Sequence, residues 1–124
     1  PMAQQFVTWA QMKQVQFLAS EKRVYNDDKD LWYAGTADFT CIIGGKRLVG
    51  DLKTMKKLWD RVPFFQTAAY LMALERMGEE KFDGSVIVNV NKETNELTDH
   101  YSYDWEGDSK GFLAALTLYK ALNN

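Results

Sequence analysis

The 124-residue sequence has one cysteine and one histidine, and none of its apolar runs approaches the ~20 residues that a membrane-spanning helix needs. A lone Cys41 cannot close an internal disulfide. Set in an apolar strand, it reads as a small buried hydrophobe and suits a reducing, cytoplasmic setting. No charged-then-apolar leader opens the chain, so no secretory signal is expected. Scarce Cys and His leave no zinc-ligand spacing, and neither a G-x-x-x-x-G-K-[ST] phosphate loop nor a Ser or Cys nucleophile elbow occurs. An excess of positive charge is missing too, because 15 Lys and Arg face 17 Asp and Glu for a net charge of −2. That argues against a broad nucleic-acid surface, since phosphate binding is driven by clustered cations. The exclusion is partial, because acids that hold metal ions lower the net charge while serving a phosphate. Repeats, low-complexity segments and linkers are absent, so residues 1–124 read as one domain with a single core.

What is present centres on Tyr33 to Thr54, YAGTADFTCIIGGKRLVGDLKT. Phe39, Cys41, Ile43 and Leu48 are β-formers around Gly44-Gly45, a dipeptide suited to the positive φ angles of a tight hairpin. Antiparallel pairing about that turn brings Asp38 and Asp51 to the same end of the hairpin. Lys53 follows Asp51 at i+2, on the same face. By itself the D-x-K pattern is also what a surface ion pair looks like.

The other elements follow from periodicity and turn residues. Residues 4–19 lack Gly and Pro and set Phe6, Trp9, Ala10 and Phe17 near one face, which predicts a helix. Ser20 to Asn26 reads as a strand and Asn26 to Asp30 as a polar turn. After a charged connection over 54–62, Pro63 starts a helix running through Gly78 that carries Gln66 and Tyr70 on one face. Ser85 to Val90 reads as a strand covered on both sides, Asn91 to Asn95 as a turn and Glu96 to Trp105 as a further strand. Phe112, Ala115, Leu116 and Tyr119 mark a last amphipathic helix from Asp108. The expected fold is α/β (α+β), a central mixed sheet flanked by helices in the order α-β-β-β-α-β-β-α.

Three motifs in sequence carry a family likeness: G-T-x-D at Gly35, Thr36 and Asp38; G-D-x-K-T from Gly50 to Thr54; and Q-x-x-x-Y at Gln66 and Tyr70. With them the chain resembles the PD-(D/E)XK nuclease superfamily, in its RecB-like and phage-exonuclease-like branch, from about Ser20 to Met77. The resemblance implies a restriction-endonuclease-like core and a Mg2+- or Mn2+-dependent deoxyribonuclease. It further implies an exonuclease of DNA recombination, repair or phage DNA processing, acting on single- or double-stranded DNA, with homo-oligomers open and no membrane partner. Asp38 and Asp51 suit a hard cation that prefers oxygen ligands and keeps several waters. By resemblance the Leu52 backbone carbonyl joins them, Lys53 acts on the attacking water or the phosphoryl charge, and Gln66 and Tyr70 line the site. Glu21 stands where similar sequences carry a Glu, as a ligand or as a structural residue.

The chain departs from the pattern in one respect. Relatives often place an acid or a histidine on the helix before the first strand, and this helix has neither, which puts in question a second metal or an N-terminal stretch preceding Pro1. His100 falls far along in sequence, on a surface strand. Lys53, Lys56, Lys57 and Arg61 lie within nine residues and read equally as phosphate contacts or as a solvated loop. Trp32, Tyr33 and Trp59 are candidates for base stacking, and equally for core or rim packing. A nucleic-acid-binding module that has lost turnover, or a structural domain, are the other classes the sequence permits.

Overall fold

The computed structural model describes residues 2–27, 33–56 and 61–123. Helix α1 (Met2–Met12) precedes strands β1 (Gln16–Asn26), β2 (Tyr33–Ile43) and β3 (Lys46–Lys53). Helix α2 (Val62–Arg76), strands β4 (Gly84–Val90) and β5 (Leu97–Ser102) and helix α3 (Trp105–Leu122) complete the chain. The element order is the expected one. The five strands form one mixed sheet in sequence order, antiparallel throughout except for the parallel pair β3–β4, which α2 connects.

Three layers result. On one face of the sheet, α1 packs Trp9 against Phe39, Cys41, Leu48, Val86 and Val88. On the other, α2 brings Ala69, Leu71, Ala73 and Leu74 onto Val24, Ala37 and Val49, with Phe112 and Leu116 of α3 behind them. β4 is buried at every position, as its uninterrupted apolar run requires of a strand covered on both faces. Burial pushes the Cys41 thiol up to about 12, so it is an inert core group. Among the described residues no helix is long and apolar enough to cross a membrane.

The boundaries differ from expectation where a stop signal is unusual. The helix predicted over 4–19 ends at Met12 because Gln14 adopts a left-handed conformation, φ 52°. Its amide then bonds to the Gln11 carbonyl and that of Val15 to the Ala10 carbonyl, which is the Schellman arrangement. Glycine normally takes that place, as Gly78 does after α2 at φ 98°, so a Gln there gives no warning in the sequence. β1 consequently begins at Gln16 rather than Ser20. At the other end β5 stops at Ser102 instead of Trp105, and α3 starts at Trp105 rather than Asp108. Asp104 caps α3 by accepting from the Gly107 amide at 3.1 Å, with Glu106 and Asp108 in the first turn favouring the helix dipole.

Candidate functional site

The β2–β3 ladder runs from Ile43–Lys46 at the glycine turn to Phe39–Gly50, which leaves Asp38 and Asp51 as the next residues on each strand. At that point the Asp38 side chain takes over from the backbone, its Oδ2 accepting from the Leu52 amide at 2.8 Å. Gly50 is needed for close packing, because a Cβ there would run into the Phe39 ring. The turn at Gly44 and Gly45 uses positive φ at both residues, as a two-residue hairpin demands.

Asp51 is only 5% exposed. Its carboxyl is pushed up to about 6, mainly by burial, with the hydrogen-bonded Asp38 carboxyl adding to the rise and Lys53 opposing it. The Lys53 ammonium lies 2.9 Å from Asp51 Oδ2, yet that oxygen receives no directed hydrogen bond. The contact is one of charge at an unfavourable angle, so one oxygen of a buried carboxylate is left without an aligned donor. Lys53 also reaches Gln66 Oε1 at 3.4 Å, and this sets the ammonium between β3 and the first turns of α2.

Tyr70, one turn after Gln66, lies over β2. Gly35 makes this possible, since a Cβ there would sit 2.7 Å from Tyr70 Cε1. Burial, then the charges of Asp51 and Asp38, raise the Tyr70 pKa. Tyr70 therefore stays a neutral phenol with its own proton to donate. The G-T-x-D and Q-x-x-x-Y motifs meet here, Gly35 supplying the space that the tyrosine ring occupies.

The basic cluster does not act as one group. Arg61 stands at the N-cap position of α2 without a side-chain cap, and its guanidinium is drawn to α3, where Nη2 lies 2.8 Å from Oδ1 of Asp108 and 2.7 Å from the Ser102 hydroxyl. Its Nε adds a 3.0 Å bond to the same carboxylate. Asp108 is 3% exposed, so Arg61 neutralises a buried charge. Lys56 pairs with Glu93 at 2.9 Å on open surface, a contact of little energy that a phosphate could replace. Lys57, Trp32 and Trp59 lie outside the described residues. Tyr33 is buried, donates to the Ala69 carbonyl at 2.7 Å and stacks edge-on to Phe112 at 4.8 Å, so it serves the core and not a base. His100 shares a 2.9 Å contact with Thr98 on β5, the outer strand of the sheet.

Glu21 falls opposite Asp38 in register, between the pairs Ser20–Phe39 and Lys22–Ala37. It holds a left-handed φ of 49°, rare for a non-glycine residue. It shares with Asp38 and Leu52 the wall of a cavity of about 740 Å3. Among the described residues no group of three or more His, Cys, Asp or Glu side chains is gathered around one point. The acidic donors in contact are the pair Asp38 and Asp51.

Two features escaped the sequence. The aromatic lining of the cavity arises because Phe17, predicted on a helix, stands on β1. Asn89 of β4 exchanges bonds with the Met55 backbone, 2.9 Å each way, and so fixes the chain as it leaves Lys53. An Asn within an apolar strand was the available signal for that clamp.

No family model matches the sequence, and no curated protein does. Among solved structures the chain is similar to one described as the crystal structure of SSO0001, with 13% identity and a TM-score of 0.56. The match covers 94% of this chain and 57% of that one. The chain thus spans little more than half the length of that protein, and the likeness is one of fold.

Proposed function

We propose that the chain is a metal-dependent nuclease of the PD-(D/E)XK kind that hydrolyses DNA phosphodiester bonds at Asp38, Asp51 and Lys53. One observation carries the reading: a buried carboxyl, pushed up to about 6 and short of an aligned donor, faces a second carboxylate at the open end of a hairpin. Such a pair is costly without a cation between its members. Asp38 and Asp51 offer the oxygen donors that Mg2+ or Mn2+ takes, and the Leu52 carbonyl lies between Asp51 and Lys53. When bound, such an ion polarises a water and offsets phosphoryl charge.

The protein's own groups do the rest. Gln66 steadies the Lys53 ammonium, which can orient the attacking water or meet charge developing on phosphate oxygens. The Tyr70 phenol, kept neutral by burial and the nearby carboxylates, is available as a donor to a substrate at the site. Lys56 lies on the exposed connection that leaves the site. An exonuclease serving DNA recombination, repair or phage DNA processing is the form of the reading that the motifs favour.

The test is incubation with end-labelled linear and circular DNA in Mg2+, Mn2+ or EDTA. Metal-dependent products are expected, with Lys53→Ala lowering turnover ~100-fold or more at modest cost in affinity. A second reading, a nucleic-acid-binding module without turnover, is favoured by the lack of a third gathered ligand among the described residues. It requires that the unsubstituted protein cut neither strand form in Mn2+, and that Lys53→Ala change affinity alone.

A further inference from the structure

Beyond Asp38 the charged site gives way to an apolar surface. Phe6 of α1, Phe17 and Leu18 of β1 and Leu52 of β3 line the same cavity as Asp38 and Glu21. Three of these apolar side chains are well exposed, Phe17 at 45%, Leu18 at 39% and Leu52 at 40%. Exposed apolar groups gathered beside a polar centre mark a binding surface more often than scattered ones do. Phe17 is also braced from behind, its ring meeting Phe39 edge-on at 5.6 Å and Phe6 at 5.8 Å. Its exposed part is thus held in place for a flat partner.

We propose that this cavity takes the unpaired base of the nucleotide whose phosphate lies at Asp38 and Asp51, which makes single-stranded DNA, or a frayed end, the substrate form. The inference rests on the nuclease reading of the charged site. Asp38 borders both surfaces, while the Leu52 side chain lines the cavity and its backbone amide binds Asp38, so an occupant reaching from Asp38 into the cavity must be anionic at one end and flat and apolar at the other, as a nucleotide is. A volume of about 740 Å3 lies within the range of pockets that enclose small ligands. A base inside a duplex has both faces stacked and its edge paired, so only an unstacked one can lie on Phe17. The Glu21 carboxylate at the rim can accept from a base amino group.

The chain carrying Lys53→Ala, in Mg2+ so that the phosphate keeps its cation while turnover is lost, is titrated onto a single-stranded oligonucleotide ending in 2-aminopurine and onto a blunt duplex of the same sequence. Binding should quench the single-strand fluorescence. Phe17→Ala should weaken single-strand affinity by roughly 5- to 150-fold, the worth of one base–aromatic stack, and duplex affinity less than twofold. Phe17→Trp should bind like the parent. Phe17→Leu, which keeps bulk if the alanine variant folds poorly, should lose the quench. Equal losses on both DNA forms, a Phe17→Leu variant that still quenches, or self-association that Phe17→Ala abolishes would overturn the subsite. Cleavage by the unsubstituted chain in Mn2+ is scored separately. Cleavage that ignores Phe17→Ala removes the subsite and leaves the nuclease, whereas quenching without cleavage removes the nuclease and leaves a single-strand-binding site.

Discussion

Asp51→Asn should make the metal-free protein more stable at pH 8. The Asp51 carboxyl rises from 3.8 to about 6 on folding, mostly through burial. At 1.36 kcal/mol per unit this amounts to ~3 kcal/mol against the folded state once the group is ionised. The sign follows from proton counting. Below pH 3.8 both states hold the proton and nothing is lost. Between there and about 6 the unfolded chain releases it while the folded chain keeps it, so stability falls as pH rises. Above about 6 both are ionised and the full cost persists. Asn is similar in shape and does not titrate. The opposing pull of Lys53 is already contained in that net rise, so its loss is not subtracted again. The expectation is therefore ~3 kcal/mol at pH 8, or about 9–15 °C in Tm for a chain of this size. The gain should shrink to well under ~1 kcal/mol at pH 4. Urea and thermal melts of both proteins in EDTA at the two pH values decide the matter. A variant no more stable at pH 8, or stabilised equally at both, would refute the assignment of Asp51 as a strained buried carboxylate.

Other substitutions separate site from scaffold. Mn2+ at ~100 times its dissociation constant should stabilise the parent by ~2.7 kcal/mol through native-state binding, and Asp38→Asn should remove that shift in a thermal melt; a shift that survives locates the ion elsewhere. Gly35→Ala should push the Tyr70 ring aside, because the added Cβ meets its Cε1, lowering cleavage ~10- to 100-fold while stability drops only ~1 kcal/mol. A collapse in Tm, or full activity, would contradict this. Arg61→Ala strands the buried Asp108 carboxylate and should cost ~2–3 kcal/mol in denaturant melts, with part recovered by adding Asp108→Asn. The salt slope of DNA binding should stay unchanged in Arg61→Ala, whereas Lys56→Ala should lower it by ~0.7–0.9.

How far the sequence was legible depended on how local each signal was. Gly44-Gly45 sets a register that needs no tertiary information, so the approach of Asp38 to Asp51 followed from counting residues along two strands. The i, i+4 spacing of Gln66 and Tyr70 likewise fixed their common face. Arg61 was different. Its partner Asp108 is 47 positions away, and nothing near Arg61 in the sequence distinguishes a phosphate contact from a clamp on α3. Helix α1 was overextended because propensity favours continuation through Lys13 and Gln14, while the stop depends on two carbonyls finding donors in a left-handed turn. That error hid the cavity, since a Phe17 on a helix faces the core and a Phe17 on β1 faces Asp38's neighbours.

Strand β4 has a consequence for solubility. GSVIVNV carries no charge and is buried at all seven positions, the composition of segments that stack into cross-β assemblies when exposed. In the folded chain β3 covers one edge, and the other is covered by the six residues of β5. β5 is itself held down from α1, where the Trp9 indole donates to Asp99 at 2.9 Å, and from the turn after it, where Lys13 lies 3.7 Å from the same carboxylate. Helix α1 therefore guards an aggregation-prone edge at a distance. Trp9→Ala, or removal of α1, should show itself first as precipitation during expression, with fibre-like β pairing between copies through β4.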